Sequence, residues 1–278
     1  MYFPIADVVV PVWELVGIGF AVGVCGGFWG VGGGWIVTPA LYALGVPMNI
    51  AVGTDLAHIV GKSIISTFRH ARFGNVSIRL ALVMVPGTMV GVEIGARIVE
   101  HLKVLGPERV DSVISVLYIT LLGSLALFTF AEALKARRAL ARRKRREAVQ
   151  ASRDSVADPV VLDVAEWARK LRIPPFVSCE VAGIRDVSVW MVVGASVITG
   201  VFAGLLGVGG GFVRMPMLVY LVGCPTHVAV GTDLLSIVIA GAYGTFTHSL
   251  KGNVDVLMAM MMLMGASVGA QVGTFATR

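Results

Sequence analysis

Gly30-Val31-Gly32-Gly33-Gly34 returns 177 residues later as Gly207-Val208-Gly209-Gly210-Gly211. Pro39 returns at the same spacing as Pro216. One residue is then gained. At an offset of 178, Ala51-Val52-Gly53-Thr54-Asp55-Leu56 returns as Ala229-Val230-Gly231-Thr232-Asp233-Leu234. Thr67-Phe68, His70 and Gly74-Asn75-Val76 follow in register as Thr245-Phe246, His248 and Gly252-Asn253-Val254. The small-residue spine Gly87, Gly91, Gly95 returns as Gly265, Gly269, Gly273. The chain is a duplication, and each copy carries a glycine break followed by a short apolar piece.

The rest of the composition places that duplication in a bilayer. Of 278 residues, 56% are apolar and 14% charged. Mean hydropathy is +0.83. Soluble domains average about 45–50% apolar and about 25% charged. Disorder and an ordinary cytosolic enzyme are excluded, and no nucleic-acid partner is expected. The net charge of +6 is local: residues 135–172 hold twelve Lys/Arg against five Asp/Glu. Three cysteines without a CxxC spacing suggest neither a disulfide framework nor a metal site. The absence of any Lys or Arg before Lys62 argues against a signal peptide at the apolar start.

Apolar segments are expected over about 8–28, 35–46, 49–68, 77–98, 110–134, 187–206, 212–223, 227–247 and 254–277. Their lengths suit helices, and the alternation of a lipid-facing barrel is missing. The fold expected is all-α and polytopic. Repeat 1 spans 1–134, a basic linker 135–185, and repeat 2 186–278, which lacks a counterpart of segment 110–134. The piece from Trp35 to Val46 is too short to span and either crosses obliquely or re-enters. Positive-inside reasoning puts 135–172 in the cytoplasm, with the turn carrying Arg69, Arg72 and Arg79. The matching turn of the second copy has only Lys251 balanced by Asp255. The copies are therefore expected to lie upside down relative to each other, an arrangement that puts a transporter's site at the broken helices near the midplane.

Irregular backbone inside a membrane must line a cavity or lie buried in protein. A half-helix starting at Gly34 or Gly211 would turn free N–H groups and a positive dipole end toward an anion. Gly32, Gly33, Gly34, Gly209, Gly210 and Gly211 are candidate anion contacts. Neither cluster is a nucleotide loop: Trp35 stands where GxGxxG needs glycine, and Leu56 where a P-loop would begin.

Asp55, His58 and Lys62 share one helical face at i, i+3 and i+7. They are either a proton-exchanging Asp or His beside a substrate-attracting lysine, or a buried Asp55–Lys62 ion pair with Asp55 capping a helix start. Asp233 repeats Asp55, whereas Ser236 and Ala240 replace His58 and Lys62. The asymmetric pair points to chemistry. Arg214 stands where the first copy has Val37, and is either an anion contact or a snorkelling interfacial arginine. Thr54 and Thr232 offer hydroxyls beside the two aspartates. Glu93 and Arg97 read as a helix ion pair, and Arg142 to Arg146 as a topogenic or lipid-head-group segment.

The doubled Gly-x-Gly-Gly-Gly…Pro…Ala-x-Gly-Thr-Asp-Leu block resembles the sulfite exporter TauE/SafE family. The resemblance covers both halves of the membrane portion. It implies a multi-pass permease of the cytoplasmic membrane for small sulfur-containing anions such as sulfite, sulfonates or thiosulfate, and no cofactor. The expected function is a secondary transporter working by alternating access. In it the glycine breaks, Thr54, Thr232, Lys62 and Arg214 contact the anion, and Asp55, His58 or Asp233 couple protons. An anion channel of the same architecture is the alternative. An intramembrane enzyme is disfavoured, because five scattered histidines make no nucleophile–base or metal cluster. The sequence leaves the oligomeric state open.

Overall fold

The structure is a computed structural model and describes residues 1–29, 34–149, 174–179, 181 and 184–275. Strands β1 (Tyr2–Phe3) and β2 (Val8–Val9) pair antiparallel ahead of α1 (Val12–Trp29). Next come α2 (Gly34–Ala43), α3 (Met48–Arg72), α4 (Ile78–Val104) and α5 (Pro107–Val149). A second antiparallel hairpin, β3 (Phe176–Cys179) and β4 (Ile184–Ser188), opens the other copy. It leads into α6 (Val189–Leu206), the short α7 (Gly211–Pro216) and a π-helical turn over Met217–Val222. Helices α8 (Thr226–Leu250) and α9 (Val256–Phe275) complete the described chain.

Local chemistry sets the boundaries. Helices α3 and α8 start behind Pro47 and Pro225, whose φ values of −54° and −55° are nearly identical. Both end on a left-handed glycine, Gly74 at φ 74° and Gly252 at φ 69°. The following asparagines close the ends, Asn75 N–H donating to His70 O and Asn253 N–H to His248 O, each at 3.0 Å. Pro39 lies inside α2 without ending it. Its counterpart Pro216 marks the change from α to π winding, where the missing N–H frees the ladder.

Two expectations needed correction. Residues 8–9 are strand, so the first membrane helix begins at Val12. The basic segment does not begin with a loop at 135, because α5 runs through the arginine cluster to Val149. Lys, Arg, Ala, Leu and Glu are all good helix formers, so charge ends the membrane span without ending the helix.

Among the described residues, five helical stretches are long and apolar enough to cross a membrane: α4, Glu108–Leu127 within α5, α6, α8 and α9. Helix α1 is apolar but shorter over Val12–Phe28. Helix α3 matches α8 at 25 residues but carries Asp55, His58, Lys62 and a basic last turn. Its polar groups point inward, since Asp55, His58 and Lys62 are all fully buried.

Packing exchanges the copies. Helix α1 runs along α9 and α4 along α6, while α3 packs on α8. Gly19, Gly23 and Gly27 face Met262, Ala266 and Ala270 in that order, so α1 and α9 are parallel. Gly87, Gly91 and Gly95 face Val193, Val197 and Val201 in the same way. A Cβ at Gly19 would fall 1.9 Å from the Met262 carbonyl oxygen, so these backbones touch. Without a hydrophobic drive between helices in lipid, such close packing holds them together.

Candidate functional site

The two glycine breaks meet on α3. A Cβ on Gly34 would lie 2.7 Å from Val208 Cα and 2.7 Å from Asp55 Oδ2. A Cβ on Gly207, at φ 75°, would lie 2.6 Å from the Val52 carbonyl oxygen. Only glycine allows this approach, so the breaks are where the halves interlock as well as where helices stop. Gly32 and Gly33 lie outside the described residues. Gly209 and Gly210 are both left-handed, at φ 69° and 76°, and lead into α7 at Gly211.

Around this junction sits a sealed polar network. Thr38 Oγ1 donates to Asp55 Oδ2 at 2.9 Å and lies 3.2 Å from the carbonyl oxygen of Leu206, at the end of α6. Tyr118 of α5 donates its hydroxyl to that same carbonyl. His58 Nδ1 faces Asp55 Oδ1 at 3.5 Å. Among the described residues, Lys62 Nζ and His58 Nε2 have no hydrogen-bond partner. Asp55 sits well inside α3, not at a cap, and no hydrogen bond joins it to Lys62.

The second copy solves the same aspartate differently. Arg214 Nη1 reaches Asp233 Oδ1 at 3.0 Å, and its Nε donates to Thr199 Oγ1 at 3.3 Å. Arg214 is 1% exposed, so it is a core residue and does not snorkel. Its Nη2 and Asp233 Oδ2 have no hydrogen-bond partner among the described residues. Arg214 also lines a cleft with Met84, Met191, Ser196, Met217 and Leu218. Asp55 is thus served by its own helix and Thr38, Asp233 by an arginine on a neighbouring element.

The threonines beside the aspartates are structural acceptors. Thr54 Oγ1 takes the N–H of Asp255 at 2.9 Å, and Thr232 Oγ1 takes that of Ser77 at 3.0 Å. His70 and His248 sit in the last turns of α3 and α8, with Nε2 3.5 Å from Gly27 O and 3.1 Å from Gly204 O. Glu93 and Arg97 form the expected i,i+4 pair at 2.7 Å.

Structure therefore brings Gly34 and the Gly207–Val208 end of the second break together with Asp55, with His58 beside it and Lys62 two turns further along α3, and it couples Asp233 to Arg214. Sequence reasoning missed Thr38, Tyr118, Thr199 and Ser196. Thr38 could have been noticed as the residue before the repeated proline. Tyr118 lies outside the repeated blocks, and Thr199 and Ser196 sit in an unbroken apolar helix with nothing to mark them.

This doubled architecture is matched elsewhere. Residues 15–278 fit the family described as "Sulfite exporter TauE/SafE". The chain belongs to the TauE/SafE family. It is similar to "Probable membrane transporter protein YunE" of Bacillus subtilis, 25% identical over 95% of this chain and 88% of the relative. It is also similar to "Probable membrane transporter protein MJ0441" of Methanocaldococcus jannaschii, 28% identical over 73% of this chain and 60% of the relative. A third relative, "Probable membrane transporter protein YjnA" of Bacillus subtilis, is 24% identical over 94% of this chain and 88% of its own length. No solved structure matches. As a TauE/SafE protein with several apolar crossings, the chain is a multi-pass membrane transporter.

Proposed function

We propose that this TauE/SafE transporter carries a small sulfur-containing anion, of the sulfite, sulfonate or thiosulfate class, across the cytoplasmic membrane by alternating access. The observation that carries the reading is Lys62, a fully buried ammonium without a hydrogen-bond partner among the described residues, two helical turns beyond the aspartate that meets Gly34. A buried cation left uncompensated is costly, and such residues in membranes mark substrate or ion paths. An anion entering the junction would complete its shell. The anion would be held between Gly32–Gly34 and Gly209–Gly211, with Lys62 and then Arg214 supplying charge.

The anion would pass Arg214, which borders a small buried cavity walled by Met84, Met191 and Met217. The free Nη2 of Arg214 would meet it there, while Nη1 stays on Asp233. Asp55 and His58 face each other at 3.5 Å, two turns and one turn before Lys62 respectively. They are the groups proposed to exchange a proton as the anion comes and goes. Asp233 is held by Arg214 and would follow the same cycle only if that pair opened. Thr54 and Thr232 would support the site through the turns they grip.

The two copies are proposed to be inverted. Support comes from α4 running parallel to α6, α1 to α9, and from the exchange of Thr54–Asp255 for Ser77–Thr232. Such a pair can rock about the shared α3–α8 contact. The test is uptake of sulfite or a short sulfonate into proteoliposomes. Saturable flux, stimulated by anion on the opposite side and lost in Lys62→Met, supports the transporter. Non-saturating flux without that stimulation would point to a channel, and no flux of any sulfur anion would remove the substrate class.

A further inference from the structure

The face of α3 beyond Lys62 is built of donors. Ser66 and His70 follow Lys62 at i+4 and i+8, and Ser63 stands beside them. All four are at most 1% exposed. Lys62 Nζ, Ser63 Oγ, Ser66 Oγ and His70 Nδ1 have no hydrogen-bond partner among the described residues. His70 is held by its other nitrogen, with Nε2 3.5 Å from Gly27 O of α1. Buried hydroxyls on neighbouring helices turn back onto their own helix. Thr88 donates to Met84 O at 2.9 Å, Ser196 to Val192 O at 2.7 Å and Ser236 to Thr232 O at 3.2 Å. That bond is the usual way a helix satisfies a buried serine. Ser63 and Ser66 do not make it.

The second copy shows what these positions do when only packing is asked of them. Under the 178-residue offset Lys62, Ser63 and Ser66 become Ala240, Gly241 and Gly244. A Cβ on Gly241 would lie 3.1 Å from Val60 Cγ2, and one on Gly244 3.2 Å from Val92 Cγ1, so apolar neighbours already occupy the space. Small size alone does not account for Ser63 and Ser66, and a lysine is not small. Burying an ammonium and two hydroxyls without acceptors costs free energy. A ligand made of acceptors would recover it. Asp55, the only acid of α3, does not serve, because its oxygens face Thr38 and His58, two turns before Lys62. The far end of the face is cationic, with Arg69 and Arg72 flanking His70 in the last turn.

We propose that this face is the oxyanion's track between Lys62 and the basic end of α3, with Ser63 and Ser66 as a subsite for an anion that carries several acceptor oxygens. The track deepens the transport reading above and rests on it. Lys62 to His70 spans eight residues, about 12 Å at 1.5 Å per residue, with Ser66 halfway. An ion leaving Lys62 by this route meets a donor at every turn. A sulfite or sulfonate head has three oxygens, so one takes the ammonium while the others take hydroxyls, and hydrogen bonds to a charged acceptor are the strong kind. Thiocyanate carries a sulfonate's charge but no oxygen, and it gains less from the serines. The track is closed in this structure and opens as α1 parts from α3, where Gly27 O and His70 meet.

The experiment compares the full chain with its double variant Ser63→Ala/Ser66→Ala, using sulfite and methanesulfonate as probes and thiocyanate as competitor. Binding is read as anion-induced thermal stabilisation in detergent, and transport as flux into proteoliposomes. Removing both hydroxyls should raise the sulfite KM at least about tenfold and weaken binding in proportion, as lost bonds to a charged ligand do. Thiocyanate should gain on sulfite as a competitor, and the melting temperature without anion should stay level or rise. Saturable flux with unchanged KM and unchanged selectivity overturns the track and leaves the transporter standing. A lower melting temperature overturns it too, because the hydroxyls would then serve the packing. Serine-dependent binding without flux by the unaltered chain supports the subsite and removes the transport reading. Neither binding nor flux of either probe removes both.

Discussion

The hydroxyl of Thr54 accepts the backbone N–H of Asp255 at 2.9 Å, joining the second turn of one copy's central helix to the turn of the other. The bond from Ser77 N–H to Thr232, at 3.0 Å, repeats it with the copies exchanged. Both threonines are fully buried. Thr54→Val or Thr232→Val leaves a buried amide without its acceptor, which costs about 1–3 kcal/mol. Thermal unfolding in detergent should show similar losses for the two variants, and nearly additive losses in the double variant.

Lys62 separates function from stability. It has no hydrogen bond to lose among the described residues, so Lys62→Met should leave the melting temperature unchanged or higher. Anion flux should fall by at least about tenfold, corresponding to about 1.4 kcal/mol of lost interaction. A destabilised protein with normal flux per folded molecule would contradict this role.

Arg214 and Asp233 should behave in the opposite sense. Removing one member strands the other inside the bundle, so Arg214→Met or Asp233→Leu is expected to cost about 3–5 kcal/mol. The double variant should recover much of that loss while staying inactive. Melting curves of the three variants, read with flux, check the expectation.

The glycine faces give a graded series. Gly19→Ala places a methyl 1.9 Å from Met262 O, and Gly265→Ala one 2.0 Å from Val16 O. Each should cost at least about 1–3 kcal/mol, because backbones have to move apart. Gly17 and Gly123 have nothing within 4 Å of the added atom. Alanine there should stabilise by about 0.5–1 kcal/mol through helix propensity. Fluorescence-detected size exclusion after heating ranks the four variants.

Much of the fold was legible from short-range features. Pro47 and Gly74 bracket one central helix as Pro225 and Gly252 bracket the other, because proline and left-handed glycine act on their immediate neighbours. The Gly87–Gly95 spacing named the packing face for the same local reason. The end of α5 is not legible in the same way: its arginines read as a linker by charge, yet the same residues favour helix outside the bilayer and α5 continues to Val149. The site was only half legible. Asp55, His58 and Lys62 could be grouped, since i+3 and i+7 positions share a face whatever surrounds them.

The sequence alone therefore determined the membrane class, the duplication, the helix breaks and the charged face of α3. Tertiary structure alone decided that Arg214 answers Asp233, that Thr38 answers Asp55, that Lys62 has no hydrogen-bond partner among the described residues and that Phe3 packs into the apolar core of α1, α2 and α9. Helical periodicity tells which way a side chain points along its own helix. Its partner depends on how rigid helices cross, and that is set by contacts between residues more than a hundred positions apart, such as Gly91 against Val197.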